Sequence, residues 1–262
     1  MSRLKNISWI AGVMALCLTA CSTDDNADTN DLSNKIVVEA YVYANERIDH
    51  VKISKIHTEG LADAIPVEGA GVQVTQGNNV FLLYQSDTIP GLYQQAITDS
   101  LFPNGNENLH LQIYTQNNNY NAHCYMPMLV TGLTISNSNI QIIPGDESQT
   151  VATLTWDAMP AGTSFAIFVR HIPSEPDHVE FYAPDQDDNP FLDIVHTNMV
   201  ELKSAHFRYY GSYQLYVTAV SQEYEVFYDQ PSAGMANAAG NIENGWGIFT
   251  AFYGSTVNVS VQ

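Results

Sequence analysis

An all-β fold built from antiparallel sandwiches is predicted by three features of this sequence. Apolar and polar residues alternate in short runs rich in Val, Ile, Tyr and Phe, as in Ile36–Tyr43 and Thr150–Thr155, the period of two expected of half-buried strands. Clusters of Gly, Asn, Asp and Pro separate the runs, from a total of 16 Gly and 11 Pro in 262 residues, and such clusters punctuate hairpins rather than helices. Hydrophobic residues reach 45% while charged ones stay at 14%, so there is apolar material for one large or two smaller cores. Asp and Glu total 28 against 9 Lys and Arg, a formal net charge of -19. A field of that sign repels phosphate, which makes nucleic acid or an anionic membrane surface a poor partner.

The elements follow in chain order. Residues 1–20 combine Arg3 and Lys5 with an apolar run from Ile7 to Leu18 and small residues before Cys21, the layout of a secretory signal. The run is too short for a membrane-spanning helix, which needs about 20 apolar residues. Ser22 through Asp31 are polar and acidic with no large apolar residue, so a flexible tether is predicted over residues 21–34. From Lys35 the strand pattern begins: Ile36–Tyr43, then Val51–Ile56, then a hairpin from Pro66–Val74 through Gly77-Asn78-Asn79 to Val80–Tyr84. Gly91–Ala96 starts another strand, and Leu109–Tyr114 and Tyr120–Tyr125 flank Asn117-Asn118-Asn119 as a second hairpin. Further on, Thr150–Asp157, Ser164–Arg170 and Gly211–Val220 read as strands, with Trp156 in the core. Residues 175–193 hold seven acids, no Lys or Arg, and Pro176, Pro184 and Pro190, and are expected to be an irregular loop.

Several of these segments resemble known families. Leu18-Thr19-Ala20-Cys21 resembles the bacterial lipobox, which implies that Cys21 becomes the first mature residue and carries acyl chains in the outer membrane lipid. Several chains together hold a protein stably at a bilayer, where one would not. The acidic run that follows is similar to the export signal of surface lipoproteins of Bacteroidota, implying a protein that faces the cell exterior; a solvated spacer facing the periplasm is the alternative. Residues 35–132, with Pro66-Val67 through Val72-Gln73-Val74 and then Gly91 and Tyr93, resemble transthyretin-like and carboxypeptidase-regulatory-like sandwiches. Residues 133–262 resemble a fibronectin type III sandwich, Trp156 closing one early strand and Tyr213 opening a late one. The fold class expected is thus two consecutive antiparallel β-sandwiches after a signal and a tether.

The ending from Asn241-Ile242 through Gly245-Trp246-Gly247 to Phe249 and Phe252 resembles that of a large family of Bacteroidota lipoproteins of unknown function. Its members look like surface or periplasmic lipoproteins commonly encoded beside TonB-dependent outer-membrane receptors, which implies by association an accessory role in nutrient capture. The glycines there fit tight turns or close backbone packing, and the aromatics fit a core or a seam. Trp246 is also a candidate ligand-binding platform.

Candidate sites are few. With Cys17 in the signal and Cys21 acylated, Cys124 stands alone, so no intramolecular disulfide forms. In its strand-like setting it reads as a buried small hydrophobe, with a reactive or intermolecular thiol as the alternative. No Gly-x-Ser-x-Gly elbow is present and the eight His are scattered without His-x-His or His-Glu-x-x-His spacing, so the chain is read as a binding protein and not an enzyme. Asp185, Asp187 and Asn189 place oxygens at alternate positions as an EF-hand does. Pro190 occupies the place of the turn glycine and His196 that of the final Glu, which rules out an EF-hand and leaves a weaker Ca²⁺ candidate of another type. A glycan-binding or adhesive surface protein is the alternative function. Residues 133–262 hold fifteen of the acids and three of the bases, so the second half carries most of the charge.

Overall fold

Strict alternation governs the first half of the chain: Val38, Ala40 and Val42 are buried while Val37, Glu39 and Tyr41 between them are only half-buried. The computed structural model describes residues 35–55, 64–178, 191–228 and 240–262. Its strands are β1 (Ile36–Tyr43), β2 (His50–Lys55), β3 (Gly71–Gln76), β4 (Asn79–Gln85), β5 (Leu92–Gln95), β6 (Glu107–Tyr114), β7 (Asn119–Met126), β8 (Thr134–Ile135), β9 (Asn139–Ile140) and β10 (Thr150–Thr155). Then come β11 (Ser164–His178), β12 (Phe191–Val195), β13 (Met199–Lys203), a 3-10 turn at Ser204–His206, β14 (Tyr209–Val220), helix α1 (Gln222–Tyr228), β15 (Ile242–Glu243) and β16 (Trp246–Val261). The fold is all-β.

One large sheet runs in the order β12-β11-β14-β16-β1-β2-β5-β4-β3-β6-β7-β15, with β9 also on β16; a second sheet is β13-β10-β8. The long β16 serves both halves. Its first part lies parallel to β1, from Val37 opposite Trp246 to Tyr43 opposite Phe252. Its second part lies antiparallel to β14, from Ala219 opposite Tyr253 to Gly211 opposite Val261. Two cores flank it. Val38, Val74, Phe81, Leu109, Leu111 and Ile113 belong to the first. Leu154, Trp156, Phe165, Leu215 and Val217 belong to the second, between the small sheet and β11-β14-β16. Met126 belongs to the first core and Val130 to the second, while β16 passes from one to the other.

The remaining face of β16 is aromatic. Phe252 stacks on Tyr43 with ring centroids 5.2 Å apart and meets Tyr224 of α1 edge-on at 5.1 Å. Burial pushes the Tyr43 hydroxyl up to about 12 and those of Tyr41, Tyr216 and Tyr224 up as well, so this seam stays uncharged at neutral pH.

Local details follow the sequence. Trp156 is 3% exposed and meets Phe165 edge-on. Tyr213, the fifth residue of β14, has its hydroxyl accepting from the Tyr209 N–H at 2.8 Å and donating to the Tyr209 carbonyl at 2.9 Å, a return to upstream backbone like the tyrosine corner of immunoglobulin-type sandwiches. The stretch 175–193 departs from expectation at both ends, since β11 continues to His178 and β12 starts at Phe191. A register shift between Ile172 and Asp177 carries β11 past Pro173 and Pro176 while it stays on β14. Such an irregularity takes residues that cannot donate to a ladder.

Candidate functional site

Four adjacent strands present an outward surface of unusual composition. The register sets Gln73 opposite Leu82 on one side and Gln112 on the other, with Asn121 beyond. Gln73 Nε2 donates to Gln112 Oε1 at 2.6 Å. In the neighbouring row Tyr84 lies opposite Gln94, Gly71 opposite Tyr114, and Tyr114 opposite Asn119. Continuing the β3–β4 register by one step sets Gly71 between the two tyrosines. Tyr84 is 56% exposed, Leu82 49% and Tyr114 42%. A third row joins His110 and His123, directly opposite each other with rings stacked at 4.1 Å. Burial first, and then the neighbouring His123, lowers the His110 pKa, which keeps this ring neutral at pH 7. None of the outward side chains of β4, β3, β6 and β7 is Asp, Glu, Lys or Arg; Glu243, opposite Asn121 on β15, marks the rim.

Three polar side chains that are far apart in sequence meet elsewhere. Ser164 Oγ donates to Glu225 Oε2 at 2.6 Å and lies 3.2 Å from His196 Nδ1, while His196 Nε2 is 3.2 Å from Glu225 Oε1. Serine hydrolysis needs the acid on one imidazole nitrogen and the nucleophile on the other. Ser164 and Glu225 do sit on opposite nitrogens of His196, but the Ser164 hydroxyl gives its proton to the Glu225 carboxylate and not to the imidazole, and Ser164 is only 5% exposed. The arrangement ties α1 to the start of β11 and to the turn after β12 and holds no aligned nucleophile. Ser221 precedes α1 and accepts from the Tyr224 N–H at 3.4 Å. With Glu223 and Glu225 in the first turn, it is the start signal that sequence reasoning passed over.

The predicted site residues are placed as follows. Cys21 and the calcium candidates Asp185, Asp187 and Asn189 lie outside the described residues. Among the described residues no cluster of His, Cys, Asp and Glu has metal-holding geometry, and no helix is long and apolar enough to cross a membrane. Trp246 opens β16 half-buried, with the Lys35 ammonium 5.8 Å from its ring centroid, a cation–π contact over one face. Cys124 is 5% exposed and burial pushes its thiol pKa well up, which suppresses the thiolate. A cavity of about 480 Å³ lies beside the end of β4, lined by Glu68, Gln85, Ser86, Asp87, Thr88 and Pro90.

One histidine couples the fold to pH. His206 Nδ1 accepts from the Lys203 N–H at 3.1 Å, which requires the unprotonated nitrogen. Burial and then the Lys203 charge lower its pKa. The unfolded chain therefore takes up this proton first, so the contribution is complete above the ordinary imidazole value near 6.5 and is lost as pH falls below it. The urea midpoint is expected to drop between about pH 7.5 and about pH 5.5, and His206→Gln to flatten part of that drop. Identical slopes in both chains would refute the assignment.

No family model matches this chain, and no curated protein does. Among solved structures it is similar to the crystal structure of Salmonella alpha-2-macroglobulin reacted with methylamine, at 13% identity and a TM-score of 0.22, over 87% of this chain and 14% of that one. This chain thus spans a small part of that protein's length, and a likeness at that score carries no argument.

Proposed function

We propose that this protein is a lipid-anchored accessory binding protein of the outer membrane, held through acylated Cys21 on the tether 21–34 and facing the cell exterior. There it assists a TonB-dependent receptor in nutrient capture. The observation that carries the binding role is the open face of β4-β3-β6-β7, where exposed Tyr84, Leu82 and Tyr114 surround the bonded amides of Gln73 and Gln112. Exposed aromatic area beside a few placed polar groups is what a recognition surface requires. The lipobox-like Leu18–Cys21 and the resemblance of the Asn241–Phe252 ending to Bacteroidota lipoproteins support the location.

Labelling with a fatty acid tests the anchor, and protease treatment of intact cells tests the exposure. Wild type is expected to incorporate the label and be digested on intact cells, and Cys21→Ser to lose the label. The receptor is expected to co-purify from solubilised outer membranes with wild type only. Survival of the protein on intact cells with loss on lysis would overturn the outward orientation.

A further inference from the structure

We propose that the outward face of β4-β3-β6-β7 binds a neutral oligosaccharide, laid across Gly71 between Tyr84 and Tyr114. The inference deepens the binding role given above and rests on it. Tyr84 and Tyr114 stand two strand spacings apart, about 9.6 Å between backbones, and the strand between them carries no side chain at the point where they face each other. A Cβ built on Gly71 would lie 3.7 Å from Tyr114 Cβ and 3.8 Å from Cδ2. Those are ordinary contacts, so alanine fits and the floor is bare rather than blocked. The result is a shallow trough with a phenol on each wall.

The chemistry of walls and floor selects the ligand. A pyranose ring offers an apolar face of C–H groups and a rim of hydroxyls. The negative face of a phenol ring attracts polarised C–H groups and shields apolar area from water. With one hydrogen bond spent between them, the two amides keep acceptor capacity on Gln73 and donors on Gln112 in the next row, and Gln94 and Asn119 add amides at the ends of the tyrosine row. Hydroxyls both donate and accept, so they match amides of either polarity.

Charge settles the class further. In a chain with 28 acidic and 9 basic residues, four neighbouring strands turn outward without one of either. An anionic ligand would find no Lys or Arg there, and the carboxylates bordering the face stand at its margins, Glu243 on β15 and Glu68 and Asp87 beside the end of β4. A neutral, hydroxyl-rich chain suits such a face, because it gains nothing from ion pairing and loses nothing by lacking it.

The test is affinity electrophoresis of the full-length protein in mild detergent through native gels. Separate gels contain xyloglucan, galactomannan, mixed-linkage β-glucan or amylopectin, with polygalacturonate as the anionic comparator. At least one neutral polysaccharide is expected to retard the wild type. Tyr84→Ala and Tyr114→Ala are each expected to weaken retardation about tenfold, the scale of one lost ring contact. Gly71→Val, a strand-favouring residue that fills the trough, is expected to abolish it. Tyr84 is exposed enough that its truncation leaves the fold intact, so the proposal is readable even if Gly71→Val fails to fold. No retardation by any neutral polysaccharide, retardation by polygalacturonate alone, or equal retardation of wild type and both tyrosine variants would overturn it. Failure here with digestion on intact cells removes the ligand class and leaves the displayed protein. Retardation of a protein that survives on intact cells does the reverse.

Discussion

Gly247→Ala is expected to lower the thermal midpoint by about 10 °C or to prevent folding, an effect far beyond that of an ordinary added methyl. Two independent costs combine at this position. Its φ of +102° lies where an L residue is strained, worth about 1–3 kcal/mol. A Cβ there would also run into the Val38 backbone, its carbonyl oxygen first. Val38 is the parallel partner of Gly247 in the β1–β16 pairing, so relief of the clash must pry apart the ladder that joins the two cores. Losing even two of those bonds adds about 2 kcal/mol. The sum approaches the lower end of the 5–15 kcal/mol that holds most domains together, and for a chain of this size each kcal/mol moves the midpoint by about 2–4 °C. Differential scanning calorimetry decides it, with Gly145→Ala as the comparison: that glycine also has positive φ, +85°, but nothing lies within 4 Å of its added Cβ. Equal losses in the two variants would mean that strain alone acts and that close approach to Val38 does not matter.

The same strand shows where sequence reading stops. In β1, in β6 and in the β3–β4 hairpin one face meets a core and the other meets less, so the alternation printed in the residues is the alternation of burial. From Gly247 to Phe252 every residue of β16 is buried, because the first core covers one face while the α1 and Tyr43 aromatics cover the other. Period two disappears when both faces are covered, and what remains is a glycine and aromatic run whose partners lie some 200 residues away. The glycine-rich ending was readable as close packing around aromatics; a strand belonging to two halves was not. Sites show the same division. Trp156 and Cys124 could be placed in the interior from their own strands. The trough over Gly71 depends on which non-neighbouring strand, β6, comes to lie beside β3, and the meeting of Ser164, His196 and Glu225 depends on three elements at once. Neither is a spacing that the chain displays.

Asn241→Leu is expected to cost about 3 kcal/mol and to loosen one edge of the sheet selectively. The Asn241 side chain makes three bonds: Nδ2 donates to the His123 carbonyl at 2.8 Å and to the Phe249 carbonyl at 2.7 Å, and Oδ1 accepts from the Phe249 N–H at 2.8 Å. His123 is in β7 and Phe249 in β16, strands far apart in the sheet order, so one amide staples the curled sheet to itself. Among the described residues, β7 pairs on its outer side with β15 at Ala122 and Asn121, and the carbonyl of the next residue, His123, is taken by this side chain. Leucine is close in size but leaves the Phe249 amide and carbonyl, inside the protein, without their partner; a bond lost from a buried group costs about 1–3 kcal/mol. Asn241→Asp keeps the acceptor and removes both donors, so it should fall between. Hydrogen exchange separates this loss from a general one. Amides of β15 and the adjoining part of β7 should exchange faster in Asn241→Leu while those of β11 and β14 keep their protection, since local opening follows the bonds that hold each region. Equal acceleration throughout the chain would mean that Asn241 acts on global stability and does not fasten β7 to β16.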